Sequence, residues 1–333
     1  SENFLRPGFF DDAPKPIAPV PQDVVQMSTE PQVLEGTPQR PKEEGLPDWI
    51  PFNYFPKQSQ LIKPPLLIDG LLHQGSKMIL AGPSKGFKSM ALIDMAISIS
   101  TGTKFWGRET TQGSCLVCDF ELAPVWAQDR AWSILKGKGL SEAPSKFHYW
   151  PLRGKCYDAG VVLRVLEERI EGIPDLRAIF VDPYYKLASG LDENSAGQVT
   201  ALLLALEQFS ERTAASIVFS HHFSKSGYAG NGGDHVLAIS GSASFSRDPD
   251  CCLTMAKHPD VDNVMVVEGT MRNLPSPTPF CVEFDYPIFK LRDDVEAKPQ
   301  RRQRGERPNK PGPEDVLAEL KKVKAMTQRE WQE

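Results

Sequence analysis

The stretch Gly82-Pro-Ser-Lys-Gly-Phe-Lys-Ser89 stands between an apolar run and a helix-forming run. A Gly-rich loop in that setting aims backbone N–H groups and a helix N-terminus at an anion. Gly82, Pro83, Ser84, Lys85, Gly86, Phe87, Lys88 and Ser89 are therefore expected to cradle phosphates. Lys88 would reach the β- and γ-phosphates, and the Ser89 hydroxyl would ligate Mg²⁺. The pattern G-x-x-x-x-G-K followed by Ser or Thr is matched imperfectly. Phe87 holds the place of the second Gly, and Gly86 lies one position early.

Three further places could complete such a site. Asp182 ends an apolar strand, where a parallel sheet presents its carboxyl edge to ligands, and a carboxylate there can hold Mg²⁺. Glu121 follows the strand ending at Asp119, and from there a Glu can orient or deprotonate an attacking water. Asp119 is the rival for that role, and a helix-capping duty is the plainer reading of Glu121. His221-His222 closes another strand, where a polar side chain can sense a γ-phosphate. A metal role for the pair is disfavoured, because adjacent residues on a strand diverge. The same geometry argues against a metal at Cys115 and Cys118, three apart on a strand, and at the neighbours Cys251 and Cys252.

These residues need a scaffold, and the hydrophobic pattern supplies one. Lys77–Ala81, Gly113–Asp119, Ala178–Asp182 and Ser216–His221 read as strands, separated by helices over Ser89–Ser100, Trp126–Lys136, Val161–Glu171 and Ser195–Thr213. The first helix shows Met90, Ile93, Ala96 and Ile97 on one face. Such alternation predicts an α/β fold, a mostly parallel sheet with helices on both faces. Beyond residue 250, Cys252–Lys257, Val264–Glu268, Phe280–Phe284 and Ile288–Leu291 predict an antiparallel extension.

With 333 residues, 40% hydrophobic and 24% charged, the chain can build a sizeable core. Its net charge of -5 is unlike a dedicated double-stranded DNA reader, so any nucleic-acid contact must be local. No apolar run approaches a membrane span, and no signal peptide pattern opens the chain. Six scattered cysteines suggest a reducing compartment, so a cytoplasmic location is expected. Residues 1–46 read as a disordered Pro-rich arm, followed by the aromatic segment LPDWIPFNYFPK at the start of a domain over 47–291. Residues 292–312 read as a basic linker, and 313–333 as a helical tail or the start of a winged-helix module.

The ordered strings LIDGLLHQGSKMILAGPSKGFKS, CLVCDFELAPVWAQDR, AIFVDPYYKLASGLDENSAG, SIVFSHHFSKSG and SGSASFSRDPD span about Leu66 to Leu291. Together they resemble the RepA-like branch of RecA-type ATPases, the hexameric plasmid replicative helicases and their relatives on phages and mobile elements. The resemblance implies a RecA-like fold, ATP and Mg²⁺ as cofactors, and Lys88 and Ser89 as the phosphate-loop pair. It also implies Glu121 as the catalytic glutamate, Asp182 as the Mg²⁺-linked aspartate, and His222 as γ-phosphate sensor with Lys225 beside it. Arg272 resembles the position from which a neighbouring subunit inserts a finger, with Arg247 a second candidate. Relatives of this branch can carry Phe at the place of Phe87, whereas Ser240 stands where an Arg commonly precedes the Gly-Ser pair.

Three functions fit. One is a hexameric ring moving along single-stranded DNA as a helicase, with channel contacts after Asp182 and in FSKSGYAGNGGDHVLAIS. Another is an ATP-dependent regulator or loader, meeting DNA or a replication partner protein through the N-terminal arm or C-terminal tail. The third is a P-loop kinase, which the paired His, Glu121 and the late strands disfavour.

Overall fold

Lys77–Gly82 is buried at every residue, as a strand covered on both faces must be. It lies at the heart of a computed structural model that describes residues 57–155, 158–223, 239, 241 and 243–298. Contacts divide the chain between Leu61 and Ile62. The described part of the first unit contains a single 3-10 turn, Gln58–Gln60.

The second unit opens with a small hairpin, β1 (Leu66–Ile68) and β2 (Leu72–His73), before β3 (Lys77–Gly82). Helix α1 (Lys88–Thr101), β4 (Ser114–Asp119), α2 (Pro124–Gly137), β5 (Phe147–Pro151), α3 (Ala159–Ile170) and β6 (Leu176–Asp182) follow. Then come α4 (Tyr184–Leu187), α5 (Ala196–Thr213), β7 (Ser216–His222), α6 (Ser244–Arg247), β8 (Cys251–Lys257), β9 (Val264–Met271), β10 (Phe280–Asp285) and β11 (Ile288–Leu291).

Nine strands form one sheet in the order β11-β10-β9-β8-β3-β7-β6-β4-β5. From β8 to β5 all neighbours are parallel, and β9, β10 and β11 continue antiparallel. This is the RecA-like α/β sheet with a C-terminal antiparallel extension. One face packs on α1 and α2 through Met90, Ile97, Ile134 and Leu135. The other packs on α3, α4, α5 and α6 through Leu166, Tyr184, Leu203 and Phe245. Because strand neighbours alternate, Cys115 and Cys118 fall in different clusters, as do Cys251 and Cys252.

Several elements differ from the sequence expectation. Helix α1 is buried almost all round, not on one stripe: Leu92, Met95 and Ile99 are covered as fully as Met90 and Ile93. The β1–β2 hairpin brings Leu67, Ile68, Leu71 and Leu72 into the same core cluster. Strand β5 carries no alternation, being a half-buried edge of aromatic residues. The polar segment after Leu291 stays packed as far as Ala297. Val295 and Ala297 lie against Val264, Val266 and Cys281, and His258 Nε2 stands 3.0 Å from the Glu296 carbonyl. Lys225, Ser240, the arm over 1–46, and the tail over 313–333 lie outside the described residues. Among the described residues no helix is long and apolar enough to cross a membrane.

Candidate nucleotide site

The carboxyl ends of β3, β4, β6 and β7 are adjacent in the sheet, so Gly82, Asp119, Asp182 and His222 share one edge. The loop after β3 turns tightly into α1. A Cβ on Gly82 would meet the Met255 carbonyl oxygen at 2.6 Å, and one on Gly86 would meet that of Pro83 at 2.9 Å. Phe87 sits at φ 61, the left-handed conformation that explains why a Gly is usual there. Its ring stacks on Phe284 with centroids 4.3 Å apart, which offsets the backbone strain with aromatic packing. Phe87 provides no side-chain cap to α1, leaving the helix N-terminus without one.

Lys88 is buried, and its ammonium donates to the carbonyls of Gly82 (3.1 Å) and Pro83 (2.8 Å). Burial lowers its pKa to about 8, against the opposing pull of Asp182 and Glu121. Asp182 is buried too, and Ser220 and Ser89 both hydrogen-bond to it. Burial raises its pKa, the two serine bonds lower it, and the nearby Asp119 and Glu121 charges raise it further. Asp182 beside the Ser89 hydroxyl offers two oxygen ligands that suit a water-rich Mg²⁺ site, while among the described residues no cluster of three or more His, Cys, Asp or Glu could hold a metal.

Asp119 and Glu121 divide the work that the sequence left open between them. Asp119 Oδ1 accepts the N–H groups of Glu121 and Leu122, both at 2.8 Å, and Tyr149 Oη donates to its Oδ2 at 3.1 Å. Thus Asp119 shapes the turn that carries Glu121. Glu121 is exposed and does not cap α2, whose N-cap Ala123 receives no side-chain bond. One of its oxygens accepts from Tyr185 Oη at 3.0 Å.

Lys88, Ser89, Asp182 and Glu121 line one open cavity of about 340 Å³. A family model described as AAA domain matches residues 43–228, more than half of the chain. The chain belongs to the AAA domain family. It is a P-loop ATPase. No curated protein matches it.

The AAA domain cavity also takes in Lys85, Gly86, Phe87 and His222. Ser84 is exposed on the outer turn of the loop. The Nδ1 of His222 lies 3.4 Å from Lys88 Nζ, whereas His221 is buried against Tyr184 and Phe245 on the other side of the strand. His221 Nδ1 accepts the His222 N–H at 2.8 Å, and burial lowers its pKa to about 4, so this ring is a neutral support. Sequence reasoning missed Arg130, which lines the cavity from α2. The signal was present: a cation falls on the inward stripe of α2 with Ala127, Ala131 and Ile134.

Arg272 is not in this cavity. It follows β9 at the amino edge of the sheet, where its backbone N–H donates to the Asp250 carbonyl at 2.8 Å. A strand of six residues spans about 20 Å, so Arg272 and Lys88 are held at opposite ends of β3. Another cavity, of about 490 Å³, opens at that amino edge and is lined by Lys77, Asp250 and Arg272. The Arg247 carbonyl accepts from Arg272 Nη2 at 3.0 Å, so the two candidate arginines are neighbours.

Proposed function

We propose that the chain is one subunit of a RepA-like hexameric ring that hydrolyses ATP with Mg²⁺ and moves along single-stranded DNA as a helicase. The context is replication of a plasmid, phage or mobile element. In this reading Lys88 contacts the β- and γ-phosphates, and Ser89 and Asp182 hold Mg²⁺. Bound there, the cation neutralises charge developing on the phosphate oxygens. Glu121 orients the attacking water, its position set by Tyr185 and by the turn on Asp119. His222, beside Lys88, contacts the γ-phosphate.

One observation carries the oligomer: the cavity holds Lys88 and Asp182 while Arg272 is fixed at the other end of the same strand. An arginine placed there serves a triphosphate only on another copy of the chain. The test is ATP turnover by the full chain with and without single-stranded DNA, followed by strand displacement on a forked duplex. Stimulated turnover with displacement supports the helicase. Stimulated turnover without displacement supports the regulator or loader, and turnover indifferent to DNA removes both.

A further inference from the structure

Asp250 is engaged through every polar group it has. Its N–H donates to the Lys77 carbonyl at 2.9 Å, and its Oδ2 accepts the Lys77 N–H at 3.0 Å. Its carbonyl accepts the Arg272 N–H at 2.8 Å, and its Oδ1 accepts Arg272 Nη1 at 3.2 Å. Two bonds therefore tie it to the first residue of β3 and two tie it to Arg272. The Arg272 Nη2 group also donates to the carbonyls of Arg247 (3.0 Å) and Asp248 (2.6 Å).

A guanidinium has five N–H donors. Three are used by this cradle, and the side chain remains half exposed, so Nε–H and one Nη1–H remain, on different edges of the plane, and one of them can face an outside oxyanion. The neighbouring cation does not interfere, because Lys77 Nζ is paired with Glu207 at 2.7 Å and with Asp248.

We propose that Asp250 is the positioning residue that fixes Arg272 toward the triphosphate of a neighbouring copy. The inference deepens the reading given under Proposed function and rests on Arg272 acting across subunits. A long flexible side chain held in place before the reaction stabilises charge without reorganising when that charge develops. Asp250 also links that arginine to β3, whose far end carries the chain's own phosphate loop.

The experiment uses the full chain with Mg²⁺-ATP and oligo-dT, beginning with Arg272→Ala. Wild-type turnover in that variant removes the trans reading itself, and the inference with it. With Arg272→Ala impaired, Asp250→Asn is expected to lower kcat about tenfold or more while KM for ATP stays within about twofold. Mixing it with Glu121→Gln subunits, which keep a sound Arg272 cradle, is expected to restore turnover in part. Wild-type kcat in Asp250→Asn overturns the inference while leaving Arg272 its role. So does a loss that mixing never restores, since the damage then lies in the subunit's own fold. Should Asp250→Asn not fold, Arg272→Lys decides. Lysine has three donors but lacks the planar fork that spans Asp250 and both carbonyls, so the inference expects turnover near that of Arg272→Ala, and turnover near wild type overturns it.

Discussion

The ammonium of Lys88 stands 3.4 Å from Nδ1 of His222, two groups 134 positions apart in the chain. Lys88 is buried and His222 half-buried, and burial lowers the pKa of each. Bound phosphate favours the charged ammonium, so it must raise a Lys88 pKa that starts at about 8. Below that pH the amine already carries its proton. Above it, binding must take one up, and affinity for ATP is expected to fall as pH rises through about 8. Titration calorimetry in two buffers of different ionisation enthalpy measures the uptake; equal heats at pH 8.5 or so would refute it. Lys88→Ala should abolish turnover at every pH, and retained turnover would remove the site.

Glu121 and Asp119 should separate cleanly by mutation. Glu121→Gln is expected to keep ATP binding and lower kcat by about 10²-fold or more. Asp119→Ala should instead lower thermal stability by about 3 kcal/mol, because it strands two N–H donors and the Tyr149 hydroxyl. A melting curve and a turnover assay on each variant check the division, and reversal of the two phenotypes would exchange the roles.

Phe87 offers a test of strain against packing. Phe87→Gly loses the stacking on Phe284 but relaxes the left-handed backbone. Phe87→Ala loses the stacking and keeps the strain, which is about 1 kcal/mol. The expected order of stability is therefore Phe, then Gly, then Ala, read by denaturant unfolding. An alanine variant more stable than the glycine variant would show that the loop conformation differs from the one described.

Arg130 lines the same cavity as Lys88, whereas Arg272 lines a different one. Arg130→Ala should weaken ATP turnover even in subunits whose neighbours are intact. Mixing with Arg272→Ala subunits should restore turnover in part, because the Arg130→Ala subunit still offers Arg272 to a neighbour whose own cavity is intact. Full activity in Arg130→Ala would place that side chain outside the nucleotide contacts.

Much of the arrangement was legible in the sequence because buried parallel strands announce themselves. Met78–Ala81 and Ala178–Val181 are unbroken apolar runs, followed by the Gly-rich loop and by Asp182 respectively, and a parallel sheet gathers such ends on one edge. Strand β5 was not legible, since an edge of Phe147, His148, Tyr149 and Trp150 shows neither alternation nor a continuous apolar run. Nor could the partner of Phe87 be read, because Phe284 reaches it only through the order in which β8, β9 and β10 are added beside β3. The antiparallel run of β9 is expected from the sequence, but the side on which Arg272 lies also depends on β8 pairing parallel with β3, which periodicity does not encode.

Strand β3 is hydrogen-bonded to β7 on one side and to β8 on the other. The matched segment ends at residue 228, between those two partners. Cut there, the chain would expose a raw, apolar sheet edge along its own phosphate-binding strand and lose the ring beneath Phe87. The nucleotide machinery is thus indivisible in inheritance: recombination that carried the signature motifs to a new gene without residues up to about 291 would transfer a sequence and not a working fold.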